Sequence, residues 1–134
     1  MLMNIGITIE RIQTADQPGR ELDLEIALLM GWKKADGNEN ATGLEMIGPT
    51  GEAGPLPPFT SSMTTAVELV HKVSPGDAWG AVFEGGIGSA SIGNGPPSRA
   101  VTPAMALCLA ALRLKEFRDR KRKAAQASAA NKNV

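Results

Sequence analysis

Ala100-Val-Thr-Pro-Ala-Met-Ala-Leu-Cys-Leu-Ala-Ala-Leu-Arg-Leu114, running on through Lys115 to Phe117, is the stretch on which the fold turns. It opens with Thr102, a residue suited to capping, and with Pro103 at the first helical position, where a missing N–H costs nothing. From Ala104 to Leu114 the residues are Ala, Met, Leu and Cys, interrupted by Arg113 alone. Two apolar stripes at helical spacing can be drawn on this segment. Met105, Cys108, Leu109 and Leu112 form one, and Leu107, Ala110, Leu114 and Phe117 form the other. A helix apolar on two faces must be covered on two faces, by its own domain or by a second copy of the chain. The helix is expected over Thr102–Arg122.

The 134 residues allow one domain with a modest core. A lone cysteine, Cys108, excludes an internal disulfide and a cysteine-based zinc site, and suits a reducing compartment. No apolar run approaches the roughly 18 residues of a membrane span. Met1 to Ile12 lacks the positive region and cleavage site of a secretory signal, so the cytoplasm is the expected location, without a membrane partner. The formal charge of +0 hides an asymmetry: residues 1–112 carry six Lys/Arg against twelve Asp/Glu, and residues 113–134 carry eight against two. The basic part centres on Arg118, Arg120, Lys121, Arg122 and Lys123. Cations there complement the macrodipole at a helix C-terminus, and an Ala/Gln/Ser/Asn tail is expected to fray. The other reading is a nucleic-acid contact, disfavoured because no aromatic residue is interleaved and the body is acidic.

Outward from the long helix, Gly85-Gly86 separates Ala78–Phe83 from Ile87–Ile92, which reads as a β-hairpin. Its many Gly, Ala and Ser residues imply close approach to its backbone. Ser62–Lys72 reads as a helix with Met63, Ala66, Val67 and Val70 inward. Arg20–Met30 is another, with Glu21, Asp23 and Glu25 in its first turns and Gly31 closing it. Ile5 to Gln13 fits both a strand alternation and a helical face, and a short helix is the preferred reading. Between Lys33 and Pro58 the chain is rich in Gly, Pro, Asn and Asp, with Leu44–Ile47 the one candidate strand. The expected organisation is an N-terminal segment (1–19), a main domain (20–117) and a basic tail (118–134). The expected fold is α/β, a three-layer sandwich with a small, mostly antiparallel sheet between helices.

No catalytic constellation is visible. His71 and Cys108 could in principle form a nucleophilic pair, but Cys108 sits in an apolar stripe where a thiol is an inert small hydrophobe. One histidine without a second ligand gives no metal site, and no cofactor motif is found. Gly85-Gly-Ile-Gly88 precedes a strand rather than a helix, so it reads as a turn and not a phosphate loop. Thr60, Ser61 and Ser62 before one helix, and Ser98, Arg99 and Thr102 before another, offer hydroxyls, N–H groups and a guanidinium to an anion. Plain capping is the competing role. Trp32 and Trp79 are expected in the core, with a ligand-stacking wall as the other reading, for Trp79 in particular.

In this order, Arg20–Trp32, Leu56–Val70 and Ala100–Arg113 resemble the corresponding blocks of the bacteriophage ABA-sandwich domain family. The resemblance spans roughly residues 20–115. Phe59 stands where that family has Tyr, and Met63-Thr64 where it has Leu-Asp. The resemblance implies helices packed on a small antiparallel sheet, but no catalytic residues. It leads to the expectation of a non-enzymatic phage accessory protein in the infected cell's cytoplasm. Such a protein would form a homo-oligomer and bind a small anionic ligand, such as a nucleotide defence signal, or a host protein.

Overall fold

The structure, a computed structural model, describes residues 4–35 and 45–132. Its helices are α1 (Ile5–Thr14), α2 (Arg20–Leu29), α3 (Met63–Val73) and α4 (Pro103–Lys132). Its strands are β1 (Lys33–Lys34), β2 (Glu45–Ile47), β3 (Ala53–Pro55), β4 (Trp79–Glu84), β5 (Ile87–Ile92) and β6 (Ser98–Ala100). They form two antiparallel sheets, ordered β1-β2-β3 and β4-β5-β6. The α/β class and the antiparallel pairing are those expected, but the strands form two small sheets where one was expected.

The apolar helix organises this fold. At its start the Thr102 hydroxyl accepts the Met105 N–H at 3.1 Å, and the Thr102 carbonyl accepts the Ala106 N–H at 2.9 Å. Every residue from Ala104 to Leu112 is at most 7% exposed. α1, α3 and the β4-β5-β6 sheet all pack on α4, so the cover its two stripes demand comes largely from its own chain. Met105, Leu107, Leu109 and Leu112 are fully buried, and each such side chain is worth about 2 kcal/mol. Thr102→Ala removes the cap and is expected to cost about 1 kcal/mol. A urea unfolding midpoint identical to that of the parent would refute this role.

Ser62 caps α3, its hydroxyl accepting the Thr65 N–H at 3.2 Å, and Met30 caps the C-terminus of α2. Both helices therefore lie within a residue of their expected ends. α1 resolves the ambiguous start as a helix. Asn4 caps it, Ile12 is fully buried, and Ile5 and Ile9 meet the core, while Ile7 is left 57% exposed. Helical spacing wins because it groups three isoleucines toward the core. The expected strand at Leu44–Ile47 appears as β2, Leu44 lying outside the described residues. β1, β3 and β6 were not foreseen, because two or three residues are too few for alternation to register.

Gly85 and Gly86, with φ of 61° and 78°, close the β4–β5 hairpin in the doubly positive geometry of a tight two-residue loop. The basic tail, expected to leave the helix after Arg122 and fray, instead continues it to Lys132. Its Arg, Lys, Ala and Gln are strong helix formers, and Lys115–Asp119 (3.2 Å) and Arg120–Glu116 (3.5 Å) are ion pairs one turn apart. No helix among the described residues is long and apolar enough to cross a membrane.

Candidate functional site

The hydroxyl clusters expected to face an anion are spent inside the fold. Thr60 is fully buried. Its hydroxyl donates to Asp23 Oδ1 at 2.7 Å and accepts the Gly19 N–H at 3.1 Å, and its N–H donates to Asp23 Oδ1 at 2.8 Å. Arg20 joins this knot through Asp23 Oδ2 at 2.8 Å and the Leu56 carbonyl at 2.7 Å. The N-terminus of α2 lacks a side-chain cap at Gly19, and Asp23 instead ties it to the turn before α3. Ser62 and Thr102 act as caps, and Ser61, between Thr60 and Ser62, is exposed and caps nothing.

Ser98 and Arg99 do not stand at a helix N-terminus, because they form β6. Ser98 is buried and accepts a hydrogen bond from Arg113 at 3.1 Å, while Arg99 is exposed opposite Ser89. Trp79, expected in the core, lies at the sheet edge and is 38% exposed. These residues do not converge on one cavity. The second stripe of α4 is covered in part: Ala110, Leu114 and Phe117 border a hollow of about 320 Å³ with Ile92, Pro96 and Ser98. The end of the β4-β5-β6 sheet, rather than the N-terminal segment, flanks it, and Phe117 stays 57% exposed.

Cys108 is fully buried and its thiol donates to the Phe59 carbonyl at 3.3 Å. Burial, reinforced by the nearby Asp23 charge, pushes its pKa far above that of a free thiol, so it stays protonated. His71 lies exposed on the last turn of α3. No group of three or more His, Cys, Asp or Glu among the described residues is arranged to hold a metal.

Two adjoining hollows form the best candidate. The first, about 340 Å³, lies where the β1-β2-β3 sheet meets α3. Met30, Trp32, Phe59 and Leu69 give it aromatic and aliphatic walls, and Glu52 and Glu68 are exposed beside it. Trp32 is positioned by its own N–H, which donates to the Ala27 carbonyl at 2.9 Å at the end of α2, and by its ring, which lies over Gly48. The second hollow, about 400 Å³, is bordered by Lys72, Lys115, Arg118, Arg122 and Asp119. Met30 and Lys72 border both, so the apolar cleft adjoins a cationic basin.

The basin residues come from α3 and from successive turns of α4, which pack together. Partial burial opposes ionisation of Asp119, but hydrogen bonds and charge from Lys115 and Arg122 outweigh it and hold the carboxyl below its ordinary range. One carboxylate among four cations leaves the basin positive at neutral pH. Arg118 is anchored to the Val73 carbonyl (2.6 Å), Ser74 Oγ (3.1 Å) and Asp77 (3.5 Å), which fixes the floor. Sequence reasoning had Arg118 and Arg122 as complements of the helix dipole or, less favoured, as nucleic-acid residues, and it missed Trp32 with Phe59 as a pair. Of the remaining tail cations, Arg120 pairs with Glu116, Lys121 lies 5.3 Å over the Phe117 ring, and Lys123 is exposed on the same helix.

No family model, no curated protein and no solved structure matches this chain.

Proposed function

We propose that the protein is a non-enzymatic binding protein for a small anionic ligand of the nucleotide class. Its ring would occupy the Trp32–Phe59 cleft and its phosphate the Lys72–Lys115–Arg122 basin. The observation that carries this reading is the adjacency of an aromatic cleft and a cationic basin, which share Met30 and Lys72. A nucleobase gains from burial against aromatic faces, and cations with several donors suit phosphate oxygens. The carboxylates Glu52 and Glu68 at the cleft suit the exocyclic amino groups of a base and repel phosphate, so the ligand has one orientation. A combined volume of this order is ordinary for such ligands, whose pockets span about 300–1,000 Å³. Together with the resemblance to phage ABA-sandwich proteins, this supports sequestration of a nucleotide signal in the cytoplasm of an infected bacterium.

Native mass spectrometry with purine nucleotides, cyclic dinucleotides among them, tests the proposal. A discrete adduct is expected on the parent protein, weakened at least about tenfold by Lys72→Glu and by Trp32→Leu, a loss of about 1.4 kcal/mol or more in binding. Arg99→Ala, on the far face of the sheet, is expected to bind as the parent does. Equal binding by the Lys72→Glu variant, or loss with Arg99→Ala, would reject the site. The exposed face of α4 carrying Arg120, Lys121 and Lys123 favours a second reading, nucleic-acid binding. That reading requires retardation of DNA or RNA at low salt, lost steeply as salt rises.

A further inference from the structure

β4 is an edge strand that lacks most of the usual protections. In the order β4-β5-β6 it pairs with β5 on one side, and no described strand pairs with its other side. Natural edges are blunted by charges, proline or bulges. Trp79-Gly-Ala-Val-Phe83 holds no charge and no proline, Glu84 at the end of β4 is the strand's one charge, and all six residues keep an unbroken register with β5. Val82 is 59% exposed and Phe83 61%.

The free main-chain groups can be assigned. The Ala78 carbonyl accepts the Gly93 N–H at 2.6 Å, beside the pair Trp79↔Ile92. In an antiparallel ladder, hydrogen-bonded and non-bonded pairs alternate. Gly80, Val82 and Glu84 therefore direct their N–H and C=O groups toward β5. Trp79, Ala81 and Phe83 direct theirs outward. The side chains of these same three residues share the face of Ala90 and Ile92, which are buried against the core. On β4 that face runs past its cover.

We propose that this edge is the self-association surface, and that a second copy of the chain pairs antiparallel with β4 about a two-fold axis through Ala81. In this register all the outward groups are used. Ala81 faces the second copy's Ala81, and each Trp79 faces the other's Phe83, each pair exchanging both of its N–H···O=C bonds. The register also sets aromatic rings across from one another on the exposed part of the core face, a favourable cross-strand pair. Like charges come near each other only at the ends, beyond the paired region, where Glu84 of one copy lies next to the other's Asp77, whose charge Arg118 offsets at 3.5 Å. Two β4-β5-β6 sheets join into one of six strands, with both α4 helices on the same side.

Sedimentation velocity across a range of protein concentrations reads the mass. A species of twice the 14.0 kDa chain is expected. Phe83→Lys, which changes an exposed side chain, is expected to return it to the single-chain mass with an unchanged circular dichroism spectrum. Mild oxidation reads the register by a gain of signal. Ala81→Cys is expected to cross-link the two copies, because directly opposed Cα atoms lie about 5.5 Å apart, within disulfide reach. Val82→Cys, opposite Gly80 of the second copy, is expected to remain uncross-linked. A single-chain mass at all concentrations, a dimer indifferent to Phe83→Lys, or cross-linking at position 82 rather than 81 would each overturn the proposal.

Discussion

Gly88→Ala is expected to destabilise the protein by about 3 kcal/mol or more, lowering Tm by roughly 10 °C. A methyl group at Gly88 would lie 2.2 Å from the Thr102 carbonyl carbon, 2.3 Å from its oxygen and 2.5 Å from the Pro103 nitrogen. All three atoms are backbone at the start of α4, so no rotamer change can relieve the contact. Either β5 or the helix must shift, and α4 is packed along its whole buried length. The contact explains why the hairpin sequence is so rich in small residues: the N-terminus of α4 rests directly on the strand. Gly80→Ala, on the neighbouring strand, meets nothing within 4 Å and is the internal control, expected within about 0.5 kcal/mol of the parent. Thermal unfolding followed by circular dichroism decides the matter. Equal losses for the two variants would mean that close packing of α4 on β5 does not limit this site.

Asp23→Ala is the second large effect, about 3 kcal/mol or more. Asp23 is 1% exposed and accepts from the Thr60 N–H, the Thr60 hydroxyl and Arg20. Truncation strands the fully buried Thr60 N–H and leaves the Arg20 guanidinium with the Leu56 carbonyl as its remaining partner. Thr60→Val removes the hydroxyl while keeping the volume. In a double-mutant cycle the pair is expected to couple by about 1 kcal/mol or more, since both variants break the bond from the Thr60 hydroxyl to Asp23. Urea unfolding provides the four free energies. An Asp23→Ala protein within 1 kcal/mol of the parent would show that Asp23 does not bind α2 to the turn before α3.

These two residues mark where sequence reasoning stopped. Gly88 was legible as part of a backbone closely approached by something, since a strand of Gly, Ala and Ser has little side chain of its own to pack. What approaches it, the peptide joining Thr102 to Pro103, was not legible. Asp23 read as an ordinary first-turn carboxylate stabilised by the helix dipole. Its partner Thr60 read as a hydroxyl free for a ligand. Each assignment is locally sound, and each changes once the two residues meet across 37 positions of sequence.

The candidate site follows the same pattern. Arg118 and Arg122 appeared as tail cations, Lys72 only as the end of a helix, and Trp32 as a core residue. The ring of Trp32 over Gly48 makes it a wall of the cleft instead. The cleft and basin draw on α2, the β1-β2-β3 sheet, α3 and α4, so no window of sequence contains them.

By itself, the sequence determined the helices and the hairpin: capping residues, apolar spacing and a Gly-Gly turn act over a few positions and need no distant partner. It also determined that the apolar first part of α4 would be buried, because a helix segment apolar on two faces has no stable solvated state. The tertiary structure alone decided which hydroxyls are spent, which cations converge and which strand edge stays open. Those outcomes depend on burial and on hydrogen-bond partners supplied by segments remote in the chain. A residue's local propensity carries no information about which groups will take up its donors and acceptors.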